Sequence, residues 1–215
     1  MRIFRPLILI LDEDPAKSAE YMTDDWLDSF IYKSNQIMIS SVFFYAGIRS
    51  KRHYEYYFSE DRREQTLNRY FNGYPLRGFP EFKYYNAPET KWCRQCMEHF
   101  MNLQERFEAA VYEYSYRHSA EHRLYDMVYF HKAIPINLTL NAGANIPYAG
   151  LKKMDYPYKN LSPLYRSRNI IDGYRKYLKR HLPVPDDPIA SYSGSRRSVP
   201  EFLVDDGVYS SQHMA

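Results

Sequence analysis

Between residues 88 and 117 the side chains of Trp92, Cys96, Phe100, Leu103, Phe107, Ala110, Val111 and Tyr114 recur three or four places apart. That interval puts them on one side of an α-helix. A stripe sustained over such a length has to be covered by other elements, which steers the chain toward helices packed on helices. A second long pattern begins at Asp14-Pro15, an N-cap followed by proline at the first helical position. It is expected to run as one helix to about Tyr45, with Gly47 ending it. Trp26, Phe30, Lys33 and Ile37 mark its face, broadened by Leu27, Ile31 and Met38.

Shorter helices are expected over 121–132, stopped before Pro135, and from about Leu164 to a point before Pro183. The expected fold class is therefore mainly α: a single compact helical domain over 1–182 with one short N-terminal β-strand at 3–11. Residues 135–164, rich in Pro, Asn, Gly and Tyr, form a long irregular connection of the kind that carries a binding surface or drapes over the core. Residues 183–215, with Pro183, Pro185, Pro188 and a Ser-rich stretch, read as an extended, partly mobile tail. Residues 49–63 are charged and aromatic, helix or loop. Asn72-Gly73-Tyr74-Pro75 and Arg77-Gly78-Phe79-Pro80 are turn signals that make the neighbouring region a surface excursion.

A chain of 215 residues can bury a core without disulfides or metal, and an apolar share of 45% is too high for general disorder. The 23 tyrosines and 12 phenylalanines against 2 tryptophans are unusual. Tyrosine suits wet interfaces, stacking on bases, or a core with hydrogen-bonded edges. A net charge of +3 is mild, so any site for a polyanion must come from local clustering. Cys93 and Cys96 stand too close for a useful cross-link and favour a reducing compartment. The apolar run at 7–11 meets Asp12, Glu13 and Asp14 instead of a cleavage site, and no stretch reaches the apolar length of a membrane span. P-loop, GxGxxG, GxSxG and HExxH signatures are lacking, which removes the usual sequence support for kinases, Rossmann dehydrogenases, hydrolases and metalloproteases.

Two basic segments stand out. In the last helix Arg166, Arg168, Arg175, Lys176, Lys179 and Arg180 are opposed only by Asp172 and interleaved with Tyr165, Tyr174 and Tyr177. Earlier, Arg49, Lys51, Arg52 and His53 precede Tyr54, Tyr56 and Tyr57. Cations alternating with aromatic rings can track phosphates and pack sugars or bases, so Arg49, Lys51, Arg52, Arg168, Arg175, Lys176 and Lys179 are candidate DNA-binding residues. The alternative is a solvated amphipathic helix and a charged loop. Glu113 and Arg117 lie one helical turn apart, a local ion pair that, if buried, could hold Arg117 toward an anion. His118 and His122, with Cys93 and Cys96, mimic a Cys2His2 order, but the intervening stretch is far longer than a zinc finger's, so no metal and no cofactor is assigned.

Five stretches occur in order along the chain: DEDPAKSAEYM (12–22), NAPETKWCR (86–94), EYSYRHSAEH (113–122), GYRKYL (173–178) and RRSVPEF (196–202). Together they resemble a phage protein family with a DxDPxxAA opening, a helix close to CDKHVVKMILETAQ, then NHPCxxWxR, EYxYRxGxxH, AYRxYY and VPEW. That family is in turn similar to the small all-α pyrimidine-dimer DNA glycosylases, in which an Asp-x-His lies ahead of a catalytic glutamate on the first long helix. Asp12, Asp14, Pro15, Lys17 and Ala19 match the opening, and Gln36 the end of the helix motif. Asn86, Pro88, Trp92 and Arg94 match the third signature, and Glu113, Tyr114, Tyr116, Arg117 and His122 the fourth. Tyr174, Arg175 and Tyr177 match the fifth, and Val199, Pro200 and Glu201 the last. The departures fall where the chemistry would be: Trp26 stands at the histidine position and Lys33 at the glutamate position.

The resemblance implies a DNA-acting phage protein, of the kind that excises or modifies a base, with DNA as partner, other phage proteins as further partners, no membrane, and the host cytoplasm or the virion as its location. In the glycosylase mechanism an amine attacks the sugar and a carboxylate supports the positive charge that develops there. Lysine at the carboxylate position reverses that field, so the inherited reaction is expected to be lost. A replacement set would use Lys33 as amine with Asp28 or Glu113 as acid. Lys33, Arg94, Glu113, Arg117 and His122 are the candidate catalytic residues; their alternative role is to lock helices together. The alternative function is an inactive, repurposed scaffold serving structural, virion-associated or protein-interaction ends.

Overall fold

The computed structural model describes residues 6–71, 82–142, 146–151, 154–157, 163–165, 167–182, 191–192 and 194–204, with only the backbone at 70, 71, 135–142 and 163. It is mainly helical. The helices are α1 (Pro15–Glu20), α2 (Asp24–Tyr45), α3 (Lys51–Tyr57), α4 (Arg63–Phe71), α5 (Pro88–Cys93), α6 (Met97–His118), α7 (Met127–Ala142), α8 (Ile170–Arg180) and α9 (Glu201–Val204). Helix α2 is the axis of the molecule: every residue from 34 to 43 is buried. A helix enclosed on all sides has no solvent face, so its pattern is a mixture of apolar and small polar residues, and those polar groups need internal partners. Ser41 Oγ donates to its own Ile37 carbonyl at 2.9 Å, Ser40 Oγ to the Lys83 carbonyl at 2.7 Å, and His131 Nε2 to Asn35 Oδ1 at 2.8 Å.

The helix expected over 15–45 is two helices. Thr23 takes an extended backbone (φ −67°, ψ 163°) and its hydroxyl accepts the Trp26 N–H, so α2 starts afresh there. The helix expected up to Arg117 is also divided, because Cys96 is extended (φ −155°, ψ 167°) and the Met97 N–H donates to the Pro147 carbonyl at 2.8 Å. Helix α7 starts later than expected and continues through Pro135. A proline forfeits one helical hydrogen bond, and the buried Met127, Val128, Phe130, His131 and Ile134 anchor the turns that precede it. At the other end, Leu164 lies in a short 3-10 turn, Pro163–Tyr165, and α8 begins at Ile170 under an Asn169 cap.

The expected N-terminal strand is corrected. Ile8, Leu9, Ile10 and Leu11 are fully buried, as their composition demands, but among the described residues no strand pairs with them. Side chains meet the backbone instead. The Leu7 N–H donates to Glu89, the Leu11 N–H to Ser18 Oγ, and Arg175 Nε donates to the Leu11 carbonyl at 2.7 Å. Residues 3–5 of the expected strand lie outside the described residues, as do the turn signals at 72–80.

Parts of the expected tail pack on the helices. Tyr192 is buried and its hydroxyl donates to the Tyr21 carbonyl, Phe202 meets the Tyr21 ring edge-on at 5.3 Å, and Leu203 is buried. Of the 135–164 connection, the first part is helix, and residues 149–151 are latched by their N–H groups to the Glu98 carboxylate. No helix among the described residues is long and apolar enough to cross a membrane.

Candidate functional site

Helix α6 carries a second stripe beside its apolar one. Arg106, Glu113 and Arg117 fall on the same three-and-four spacing as Leu103 and Ala110, and all five are buried. Arg106, 1% exposed, donates to the Asp12 and Glu13 carbonyls at 3.0 and 2.8 Å, to Tyr156 Oη and to Asn102. Arg117 donates to Glu113 and Asp24, each at 2.7 Å, and to the carbonyls of Ala19, Glu20 and Met22. The two arginines thus grip α1 at both ends. The break between α1 and α2 frees carbonyls that a buried helix end cannot leave unpaired, and Arg117 fills that need.

Glu113 closes the network through a bidentate contact with Arg197, 2.8 Å at each oxygen. Burial disfavours its ionised form, but the hydrogen bonds from Arg197 and Arg117 outweigh this and hold the carboxyl below its usual range. His122 Nε2 donates to Asp28 at 3.1 Å while its Nδ1 accepts the Leu124 N–H at 3.0 Å. That pairing requires the neutral ring, in keeping with burial lowering its pKa. Glu113, Arg117 and His122 thus each make side-chain hydrogen bonds that link one element to another.

Lys33 is elsewhere. Its ammonium sits 5.6 Å over the Trp26 ring, so the two departures from the glycosylase-like motif face each other. Asp24 and Asp28, which hold Arg117 and His122, lie roughly half a turn around α2 from Trp26 and Lys33. Arg94 occupies a third location, near the C-terminal end of α2. Its guanidinium stacks on Phe44 and Tyr85 at 4.3 and 4.8 Å and donates to the Tyr85 carbonyl. The five candidate catalytic residues do not share one cleft.

The candidate DNA-binding residues divide differently. Arg175 is turned inward, to the Leu11 carbonyl, to Asp12 Oδ2 at 3.0 Å and over the Phe202 ring at 4.9 Å. It does not join an outward stripe with its neighbours on α8, and Lys179 is engaged as well. Arg168 and Lys176 are exposed, and among the described residues neither makes a side-chain hydrogen bond or ion pair. Arg166 lies outside the described residues. At the far end of α2, Arg49, Lys51 and Arg52 are all exposed; Arg49 covers the Phe44 ring at 5.7 Å, and Lys51 makes only a solvent-exposed pair with Glu55 at 3.7 Å. Tyr177 of α8 packs on Trp26 in the first turn of α2, whereas Arg49 follows its last turn, so the two basic patches stand about 30 Å apart along the axis.

A groove of about 590 Å³ runs between α1 and α6 and carries the wrong sign for phosphate. Asp14, Glu20, Glu105, Glu108 and Glu113 line it, with Arg197 as the one cation among the described residues of its wall. Cys93 ends α5 and Cys96 caps α6, while His118 closes α6 a helix length of about 33 Å away, so they cannot share a metal. Burial pushes the Cys93 thiol up to about 12, which makes it inert at neutral pH.

Arg106 and Arg197 were not singled out by sequence. The first was detectable, since 106, 110, 113 and 117 continue one helical face; the second pairs with Glu113 across 84 residues and leaves no local trace. Comparison with protein-family models, curated proteins and solved structures finds no match in any of the three.

Proposed function

We propose that the protein binds nucleic acid through its two basic patches and that the candidate catalytic residues serve the frame rather than a reaction. The observation that carries this reading is the division of the cations. Arg106, Arg117, Arg175 and Arg197 are spent on internal carbonyls and carboxylates, while Arg49, Lys51, Arg52, Arg168 and Lys176 face solvent with weak or no partners. Solvated cations are those that can release counterions from a phosphate backbone. The resemblance to DNA-acting proteins agrees in direction. Base excision receives no support, because Asp28 is engaged with His122 and Glu113 with Arg117 and Arg197, while the Lys33 ammonium lies over the Trp26 ring.

The test is affinity for a labelled DNA duplex at about 50 and 200 mM salt. A fall of tenfold or more is expected, with the salt slope reduced by about three in Arg49→Ala/Lys51→Ala/Arg52→Ala and by about two in Arg168→Ala/Lys176→Ala. Absent or salt-insensitive binding removes the reading.

A protein-contact role has its own observation: Tyr112, Tyr116 and Tyr129 expose 44, 52 and 63% of their surface beside the acidic groove on α6 and α7. Self-association or a stoichiometric partner that is lost on replacing these tyrosines with serine, with DNA binding absent, would favour it.

A further inference from the structure

We infer that the concavity lined by Gly47, Arg52, His53, Tyr56 and Tyr57 receives an unstacked base of single-stranded DNA, with the α3 cations on its phosphates. This rests on the nucleic-acid reading above and specifies the form of DNA that one of its two patches takes. The cavity is open and about 320 Å³, near the lower end of ligand-sized pockets. Among the described residues none that lines it is acidic, unlike the groove on α6.

Tyr56 supplies the stacking surface. It is 53% exposed, yet its ring is held in place: the Arg62 guanidinium lies 3.7 Å over it, and the Tyr57 ring meets it at nearly a right angle, 5.4 Å away. A ring fixed in this way loses little freedom on binding. Gly47, with φ at 78°, leaves its wall of the pocket bare of side chain. Arg52 and His53 are exposed and, among the described residues, make no side-chain hydrogen bond or ion pair. Among the described residues Lys51 is held by Glu55 alone, a pair whose members are 80 and 60% exposed and which a phosphate can displace.

A duplex can lay its phosphates on the α3 cations, but it offers Tyr56 no internal base. Except at the two ends, both faces of a paired base are covered by its neighbours, so no base inside a duplex can lie on Tyr56. Helix α3 also cannot enter a groove as a recognition helix. It has only seven residues, and it rests on the body of the protein through Tyr54, with Phe58 following, against Phe43 and Phe82.

The experiment measures affinity of the full chain for oligothymidine of about 12 nucleotides, for an abasic strand of equal length and charge, and for a duplex of that length. The wild type is expected to bind the thymidine strand more tightly than the other two. Tyr56→Ala should weaken that binding by about 5- to 150-fold, the change worth one base stacked on a ring, and erase the preference over the abasic strand. Duplex affinity should stay within about twofold, and Tyr56→Phe should bind as the wild type does. Equal wild-type affinity for thymidine and abasic strands overturns the inference without needing any variant, and so does an equal loss on strand and duplex in Tyr56→Ala; either leaves the nucleic-acid reading standing. Failure of every oligonucleotide to bind overturns both.

Discussion

Arg117 uses every donor it has. Its Nε serves Glu113, one terminal nitrogen serves Asp24 and the Met22 carbonyl, and the other serves the carbonyls of Ala19 and Glu20. Removing one partner from a buried, charged network leaves the others unpaired, so Arg117→Ala is expected to lower stability by about 3–5 kcal/mol, read from the urea midpoint. Arg117→Lys should recover little, because one ammonium cannot reach both sides of the fork. A change below about 1 kcal/mol would show that the clamp is not needed. Histidines govern a second prediction. His131 is fully buried, and burial holds its pKa down to about 3, while burial also lowers that of His122. The unfolded chain takes up these protons below about 6.5 and the folded one resists, so this stability is complete above that pH and is lost as pH falls toward 3. Glu113 has the same sign at lower pH: its stabilisation is present above the usual carboxylate value of 4.5 and disappears as pH drops through its lowered folded value. Urea midpoints at pH 7 and pH 5 should show the first loss, and His131→Gln should flatten it; an unchanged slope would place the proton elsewhere.

Elements were legible where their signals are local. The Asp14-Pro15 start, the long α2 and α6 patterns and the stop near Gly47 all appear in the structure, since each depends on residues within a turn or two of one another. The breaks at 21–23 and 94–96 were not legible. They are set by contacts from afar, Arg117 in the first case and the Pro147 carbonyl in the second, that compensate a helix for ending. The buried run at 8–11 had the composition of a strand, yet it found side chains of Ser18, Glu89 and Arg175 instead of a neighbouring strand. Thr23 offers a test at this scale. Its hydroxyl caps α2, so Thr23→Ala should cost about 1 kcal/mol of stability while leaving the helical content unchanged by circular dichroism. A loss of helix signal instead would mean that Thr23 holds more than the first turn.

Across the whole molecule, charge is divided around α2. One flank presents the acidic groove on α6, and the ends of the axis present the two sets of cations. The patches are about 30 Å apart, several Debye lengths at physiological salt, so the losses from the Arg49/Lys51/Arg52 set and the Arg168/Lys176 set should add to within about 0.5 kcal/mol. Strong non-additivity in DNA affinity would indicate one continuous surface.

The sequence by itself determined that the chain is helical, where its two longest helices lie and which segments are rich in cations, because helix periodicity, caps and charge are properties of neighbouring residues. Only the tertiary structure decided which of those cations remain available. Arg175 is consumed by residues 163 and 164 positions away, Arg117 by residues more than 90 away and Arg197 by one 84 away. A buried carbonyl or carboxylate must be satisfied by whatever the fold brings beside it, and that accounting closes in space rather than along the chain.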